Sequence, residues 1–312
     1  MAEGFYWYWG HLDYERALYN LDKAIEQMPG NNEVWMWHAW ASRRAGLWDQ
    51  ALDSMHKALK LDPRMSFNWS ELANTLAYLH RWEEARAAFA RGREIDPESF
   101  WLKSGMAALL LSHDGDTQSA ISLTTGAQFT GVPDDFDAFM AARLAGRRFD
   151  EALQAARSMS DELEIRRQAI LLREDQAARI LLFMDQRDEA KSAADAAWFR
   201  LQGLREQLGD DYRIDMAEAY VSAIRGEPPE QIRERVAKAA DSRPADAVEK
   251  FRSDYDIARI FALAGMAGDA ARQLEPLFDP PSDVTVKRVE LDPAFDGIRA
   301  EPEFTAVLEQ HR

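Results

Sequence analysis

The side chains that most often carry chemistry are sparse in this chain and stand apart from one another. There is no cysteine, so thiol nucleophiles, thiolate metal sites and disulfides are excluded. The six histidines are scattered along the sequence: His11, His38, His56, His80, His113 and His311. None has a second histidine or a carboxylate at a recurring zinc-ligand spacing. The sequence therefore predicts no metal site, and His38 is predicted to be a packed histidine rather than a ligand.

Short motifs of catalytic proteins are missing or incomplete. Neither glycine-rich phosphate loop occurs, and there is no Gly-x-Ser-x-Gly elbow. Ser112, His113 and Asp114 are neighbours in sequence, but a catalytic triad requires convergence in space. Residues 114–116 read Asp-Gly-Asp, like the start of a calcium loop, and lack its closing glutamate. We therefore expect a protein that is not an enzyme and holds no cofactor.

Like residue types recur along the chain at one fixed interval. This interval is the number of residues that separates Trp35 from Trp69. Seven pairs of like residues stand in register at this spacing, namely Ala17/Ala51, Ala24/Ala58, Pro29/Pro63, Trp35/Trp69, Trp48/Trp82, Ala51/Ala85 and Pro63/Pro97. A fixed period of this size predicts stacked structural repeats rather than one central core.

Each repeat is predicted to be two antiparallel helices joined by a short turn. Apolar residues at helical spacing predict helices over 33–45 and 49–61, and the same pair recurs one period later. Gly46 suits the turn because glycine tolerates a positive φ, whereas His80 stands at that place in the next repeat. A proline closes each repeat because it cannot continue a helix.

This pattern resembles the tetratricopeptide repeat over residues 5–97. The residues that carry the resemblance are an aromatic early in the first helix, a small residue opening the second, a later alanine and a closing proline. They stand at Trp35, Gly46, Ala51, Ala58 and Pro63, and again at Trp69, Ala85, Phe89 and Pro97. The resemblance implies a right-handed superhelix whose first helices line a concave groove that binds other proteins.

The repeats become irregular after Pro97. Two longer helices are predicted over 165–184 and 189–208, and a good repeat returns over 255–278. Residues 131–133, Gly-Val-Pro, mark the best boundary in the chain.

Together these patterns predict an all-α fold, a right-handed superhelical solenoid of roughly eight antiparallel helix hairpins. Residues 1–130 would hold the regular repeats with the concave groove. Residues 131–312 would hold diverged repeats and C-terminal capping helices.

Aromatic residues are the unusual feature of the predicted groove, because nine of the ten tryptophans lie within residues 7–101. Projecting the first helices onto the inner face of a tetratricopeptide-like stack gives the candidate partner-binding residues Tyr6, Trp9, Met36, Trp40, Arg43, Phe67, Asn74, Tyr78 and Trp101. Half exposed, the six large aromatics would present about 450–750 Å². A patch of that size is expected to be covered by a partner or by the chain itself.

The overall composition narrows the class of partner. A net charge of −16 disfavours nucleic acid and anionic membranes, and it indicates either solubility or attraction of a basic protein. No apolar run is long enough to span a bilayer, and no signal peptide pattern is present. We expect a cytoplasmic protein that binds a protein or peptide.

Four alternatives stay open at this stage. The aromatic residues would be covered by later helices of the same chain, or by a second copy in a homodimer. The tail from Ser282 resembles those that close repeat regions in bacterial multidomain regulators, attached to nucleotide cyclases, kinases or transcription regulators. That resemblance implies a regulatory domain of a larger protein, from which an N-terminal domain would have been removed. An enzyme or small-molecule binder would instead place an enclosed pocket within residues 160–250.

Overall fold

The computed structural model describes residues 1–126, 133–159, 164–165 and 170–312, and most of them are helical. The first nine helices are α1 Ala2–Phe5, α2 Tyr14–Gln27, α3 Asn32–Arg44, α4 Trp48–Leu61, α5 Ser66–Tyr78, α6 Trp82–Ile95, α7 Phe100–Leu109, α8 Thr117–Leu123 and α9 Pro133–Ala145. The last nine are α10 Phe149–Arg157, α11 Arg173–Phe183, α12 Arg187–Leu208, α13 Tyr212–Arg225, α14 Pro229–Ser242, α15 Ala247–Leu263, α16 Ala267–Leu274, α17 Val286–Leu291 and α18 Pro302–Gln310.

Short irregular elements complete the chain. Two π-helical turns, Tyr6–His11 and Leu110–Asp114, continue α1 and α7, and 3-10 turns cover Glu275–Leu277 and Pro293–Ile298. Two antiparallel strands of two residues each, β1 Glu164–Ile165 and β2 Ile170–Leu171, form a minimal ladder. The architecture is therefore an all-α helical repeat, as the sequence predicts.

Neighbouring helices pair into eight hairpins within the described residues, from α1 with α2 up to α15 with α16. Ala51 and Ala85 are fully buried where each second helix meets its first, so no larger side chain holds the helices apart. The indole N–H of Trp35 donates to the carbonyl of Pro29 over 2.9 Å, and Trp69 repeats this bond with Pro63 over 3.0 Å. The periodic tryptophan therefore anchors each first helix to the proline that ends the preceding repeat.

Every hairpin turns through one residue in the left-handed region. These residues are Leu12, Gly46, His80, Gly115, Arg147, Asp185, Gly226 and Gly265, with φ between 53° and 80°. The first three are evenly spaced along the chain, at the same interval as the other repeat positions. Because four of the eight are not glycine, composition alone conceals this regularity.

The boundaries of the diverged half differ from those predicted at several points. The helix predicted over 165–184 is wrong in its first part, because Ile165 belongs to β1 and the backbone is extended at Leu172 before α11 begins. The good repeat predicted from 255 begins earlier, at Ala247. The predicted boundary at 131–133 falls mostly outside the described residues, and α9 begins at Pro133.

The C-terminal half folds back onto the N-terminal repeats. α15 packs against α3, where a Cβ placed on Gly46 would lie 3.6 Å from that of Ala247. Tyr78 belongs to the same buried cluster as side chains of α13 to α18. Within the diverged half itself, Arg147 pairs with Asp296 at 2.8 Å. In the part of the chain that is described, no helix combines the length and apolar character needed to cross a membrane.

Candidate partner-binding surface

The nine predicted groove residues divide into three groups by exposure. Tyr6, Trp9 and Trp101 are exposed, at 56%, 49% and 37% of their surface. Trp40, Phe67 and Asn74 are half-buried. Met36, Arg43 and Tyr78 are buried. The structure therefore leaves part of the predicted surface open and places the rest inside the fold.

Three of the predicted residues, half-buried Trp40 and Phe67 and exposed Trp101, form a row of rings that we call the aromatic row. The centroids of Trp40 and Phe67 are 6.0 Å apart at an interplanar angle of 82°. Those of Phe67 and Trp101 are 5.5 Å apart at 73°. Both contacts are edge-to-face, the arrangement that the ring quadrupoles favour. The row takes one residue from each of α3, α5 and α7, so it crosses three successive hairpins.

The first hairpin carries a second group of exposed rings. Phe5 lies 4.5 Å from Trp37 and 6.0 Å from Trp9, measured between centroids. Tyr6 and Trp9 lie in the π-helical turn that continues α1. Phe5 and Trp37 were not among the predicted site residues, although the wholly aromatic run over residues 5–9 was a signal for Phe5.

Arg43 and Met36 serve the packing between hairpins. The guanidinium of Arg43 donates to Glu71 over 2.8 Å and to Thr75 over 2.9 Å. Met36 lies in the core cluster of α3 to α7. Arg43 was predicted as a hydrogen-bond donor to a partner, but its two terminal nitrogens are already bound within the fold.

Tyr78 is buried by the C-terminal half rather than by its own repeat. Its ring lies 5.1 Å from that of Phe251 and 6.4 Å from that of Trp48. Arg252 donates to its hydroxyl over 2.8 Å, and the backbone N–H of Ser282 donates to its carbonyl over 2.7 Å. At this end of the groove the chain covers itself, one of the alternatives that the sequence left open.

Asn74 lies at the close approach of α5 and α7. A Cβ placed on Gly105 would come within 2.5 Å of the Phe89 ring and 3.0 Å of the Asn74 side-chain oxygen. Glycine at this position therefore lets α7 pack closely on α5. That packing determines where α7 presents Trp101.

Carboxylates on the first helices of the C-terminal half are paired with neighbouring side chains. Arg179 holds Asp175 at 2.5 Å, while Tyr220 donates to Asp256 over 2.7 Å. In the next layer Arg259 holds Asp292 at 2.7 Å. The first pair lies within α11, the second joins α13 to α15, and the third joins α15 to the residue that caps the 3-10 turn Pro293–Ile298.

The described residues show no metal cluster and one open cleft. No group of three or more His, Asp or Glu side chains there is placed to hold a metal ion. An open cleft of about 580 Å³ lies between the π-helical turn after α7 and the C-terminal helices, lined in part by His113, Lys287 and His311. It lies outside residues 160–250, where the sequence alternative would require an enclosed pocket.

Known proteins resemble this chain mainly over its first third. A family model described as "Anaphase-promoting complex, cyclosome, subunit 3" matches residues 10–92. The small glutamine-rich tetratricopeptide repeat-containing protein 2 of Mycosarcoma maydis is 35% identical over 96 residues. That stretch is 31% of this chain and 27% of the relative, so the chain spans only about a quarter of that protein.

Two solved structures align along almost the whole chain at low similarity. The alignment with the structure of Naa15/Naa10 bound to HypK-THB covers 99% of this chain and 61% of the other chain, at 15% identity and a TM-score of 0.34. The alignment with the TPR domain of P58(IPK) covers 99% of this chain and 95% of that domain's chain, at 14% identity and a TM-score of 0.30.

Proposed function

We propose, since this chain is a tetratricopeptide repeat protein, that it is a non-catalytic scaffold whose aromatic row binds an apolar segment of a partner protein. Repeats of this type generally mediate protein–protein interactions. The proposal locates the partner at the open part of the inner face, and it places the protein in the cytoplasm.

The observation that carries the proposal is the aromatic row itself. Trp40, Phe67 and Trp101 form one continuous edge-to-face series across three hairpins, and Trp101 stays exposed at 37%. Large rings offer about 150–250 Å² each and are enriched among residues that dominate binding energy. The surface formed by these three rings suits the binding of a short helix or an extended peptide with apolar anchors.

The basic residues near the row argue against recognition of a terminal carboxylate. Arg43 is paired with Glu71 at 2.8 Å, and Arg44 is paired with Asp246 at 3.0 Å. Releasing either arginine to a ligand would leave a shielded carboxylate without its partner, which costs several kcal/mol, about 3–5 by mutational data. Apolar side chains of the partner therefore supply the binding energy in this proposal.

The test uses a variant of the protein that carries a photo-crosslinking amino acid in place of Trp101. This variant is expressed in the source cells. The matched control carries the same amino acid in place of Phe199, an aromatic on α12 that is 81% exposed and lies outside the row. We expect a partner that crosslinks from position 101 and not from position 199. Calorimetry with the crosslinked segment then measures its affinity for the wild type and for Trp101→Ala.

Two outcomes would overturn the proposal. Equal crosslinking from both positions would show non-specific contact. A crosslink from position 101 to a second copy of this chain, with a dimer in light scattering, would show that the row is a homodimer interface.

The second candidate function is a regulatory domain of a larger bacterial signalling protein. It rests on the resemblance of the tail from Ser282, which folds into α17, a 3-10 turn and α18 against the C-terminal core. A catalytic or DNA-binding domain in the native reading frame would support it, and a reading frame limited to the repeats would dismiss it.

A further inference from the structure

Three residues at one repeat position meet the C-terminal half. Arg44, Tyr78 and Ser112 are separated by one repeat period each, and they lie at or just after the ends of α3, α5 and α7. Arg44 pairs with Asp246 at 3.0 Å, and the carbonyl of Tyr78 accepts from Ser282 at 2.7 Å. The carbonyl of Ser112 accepts from the hydroxyl of Thr285. We call these three positions the closing edge.

The closing edge is joined both by polar contacts and by apolar packing. Tyr14 donates to Asp246 over 2.5 Å beside the Arg44 pair, and Arg252 donates to the Tyr78 hydroxyl over 2.8 Å. Tyr78 also packs against Phe251 and lies in one apolar cluster with side chains of α13 to α18.

A buried acid lies in this interface without full compensation. Glu249, on the first turn of α15, is 4% exposed, and its Oε2 has no hydrogen-bond partner among the described residues. The charges that face it are Arg44 from α3 and Arg252, Asp246 and Asp256 from α15, with the Tyr212 phenol from α13. Two cations and two other carboxylates therefore surround a carboxyl group that water does not reach.

We propose that the contact between the C-terminal half and the closing edge is a reversible closure of the inner face, which opens when Glu249 ionises. The occupant of the closing edge is the chain's own segment from Asp246 to Thr285. Ionisation creates a poorly solvated charge in the closed form, whereas water solvates it in the open form.

The direction of the pH effect follows from proton linkage. Burial raises the pKa of Glu249 from 4.5 to about 7, against the opposing charges of Arg252 and Arg44. The closed form thus binds the proton more tightly, and closure is favoured at low pH and weakened as the pH rises toward 7. Between pH 5 and pH 8 the ratio of closed to open protein falls by about 70-fold.

Opening would extend the groove. Trp40 of the aromatic row lies about one turn before Arg44 on α3, so separation of α15 from α5 would add Tyr78 to the exposed inner face. This consequence rests on the proposed function, but the closure itself is measured with no partner present. Failure of partner binding and failure of closure are therefore separate results.

The absence of cysteine makes the closure directly measurable by spin labelling. Labels on Asp53→Cys in α4 and Ala237→Cys in α14 occupy exposed positions on opposite sides of the contact. Double electron–electron resonance of this pair should give one distance at pH 5 and an added longer population at pH 8. In Glu249→Gln the closed distance should persist at pH 8.

A covalent lock defines the closed state. A Cβ placed on Gly46 would lie 3.6 Å from the Cβ of Ala247. The Cβ atoms of a disulfide are about 3.5–4.5 Å apart, so two cysteines here can be bridged. His80, Arg147 and Asp185 show that this turn position accepts other residues at positive φ. The lock is the disulfide of oxidised Gly46→Cys/Ala247→Cys. In this variant we expect the Ser282 amide to be equally protected from hydrogen exchange at both pH values, after correction for intrinsic exchange rates.

His80 provides a second titration near the contact, with the opposite sign. Burial lowers its pKa, and Ser282 and Asp283 lie beside it. Comparison of the wild type with Glu249→Gln isolates the contribution of Glu249 from that of His80. A pH response that is identical in the two proteins, or no response in the wild type, would overturn the proposal. If Glu249→Gln does not fold, Asp246→Asn should raise the open population at both pH values, and no increase would count against the closure.

Discussion

Arg252 of α15 donates a hydrogen bond of 2.8 Å to the hydroxyl of Tyr78, across 174 residues of sequence. Tyr78 ends the first helix of a regular repeat, and Arg252 lies near the start of the first helix of a late one. The third hairpin and the last one therefore meet at this phenol, among other contacts. This contact explains why an aromatic residue predicted on an open groove is only 8% exposed.

Removing the hydroxyl of Tyr78 should weaken the fold. Tyr78→Phe deletes a hydrogen bond to a charged donor, and we expect the free energy of unfolding to fall by about 1.5–3 kcal/mol. Tyr78→Ala also deletes the ring and should cost about 3–5 kcal/mol. Urea unfolding followed by circular dichroism measures both.

Tyr19→Phe is the matched control, because Tyr19 is 61% exposed on α2. Its free energy of unfolding should change by less than about 0.5 kcal/mol. Equal changes for Tyr78→Phe and Tyr19→Phe would mean that the contact with Arg252 contributes nothing to stability.

The features that recur once in each regular repeat were predictable from the sequence. Trp35, Ala51 and Pro63 act locally, so their spacing alone indicates the hairpin that they build. The projection of the inner face located Trp101 on an exposed surface for the same reason, since helical geometry within one repeat determines it.

The return of the C-terminal half was not predictable in the same way. The projection treats the stack as open, and no local pattern indicates that Ser282 will donate to the carbonyl of Tyr78. Contacts at such sequence separation depend on the summed rotation of all intervening repeats. The diverged hairpins between them lack the period from which that rotation could be inferred.

Truncation of Trp101 should weaken partner binding and leave the fold intact. Trp101 is exposed and contacts Phe67 only at its edge, so Trp101→Ala should keep the helical content of the wild type. Loss of an aromatic anchor costs about 2 kcal/mol or more, which is about 30-fold in affinity. Calorimetry with the crosslinked partner segment measures this loss.

Phe199→Ala removes an exposed aromatic from α12 and serves as the control for non-specific loss. Its affinity for the segment should equal that of the wild type. An unchanged affinity in Trp101→Ala, with its fold preserved, would exclude Trp101 from the binding surface.

Close packing of α7 on α5 and α6 predicts opposite effects for two glycine-to-alanine changes. A Cβ at Gly105 would lie 2.5 Å from the Phe89 ring, so Gly105→Ala should lower the free energy of unfolding by about 1–3 kcal/mol. Gly203, inside α12, has no neighbour within 4 Å of such a Cβ. Gly203→Ala should therefore stabilise the protein by about 0.5–1 kcal/mol, the helix propensity difference. Thermal unfolding of the two variants compares them, and stabilisation by both would contradict the packing described for α7.

Neutralising Glu249 should stabilise the protein at high pH and have little effect at low pH. Burial raises the pKa of this carboxyl to about 7, above its ordinary value of 4.5, so the folded state holds the proton more tightly than the unfolded state. The penalty for ionising it is absent below pH 4.5, grows as the pH rises and is complete above pH 7.

At pH 8 Glu249→Gln should raise the free energy of unfolding by up to about 3 kcal/mol. At pH 5 the gain should shrink below about 1 kcal/mol, because the wild-type side chain is then mostly protonated when folded. Urea titrations of both proteins at the two pH values measure the difference. A gain that is equal at pH 5 and pH 8 would show that the side chain is ionised to the same extent in the folded and unfolded states, and that its position between Arg44 and Arg252 fully compensates the charge.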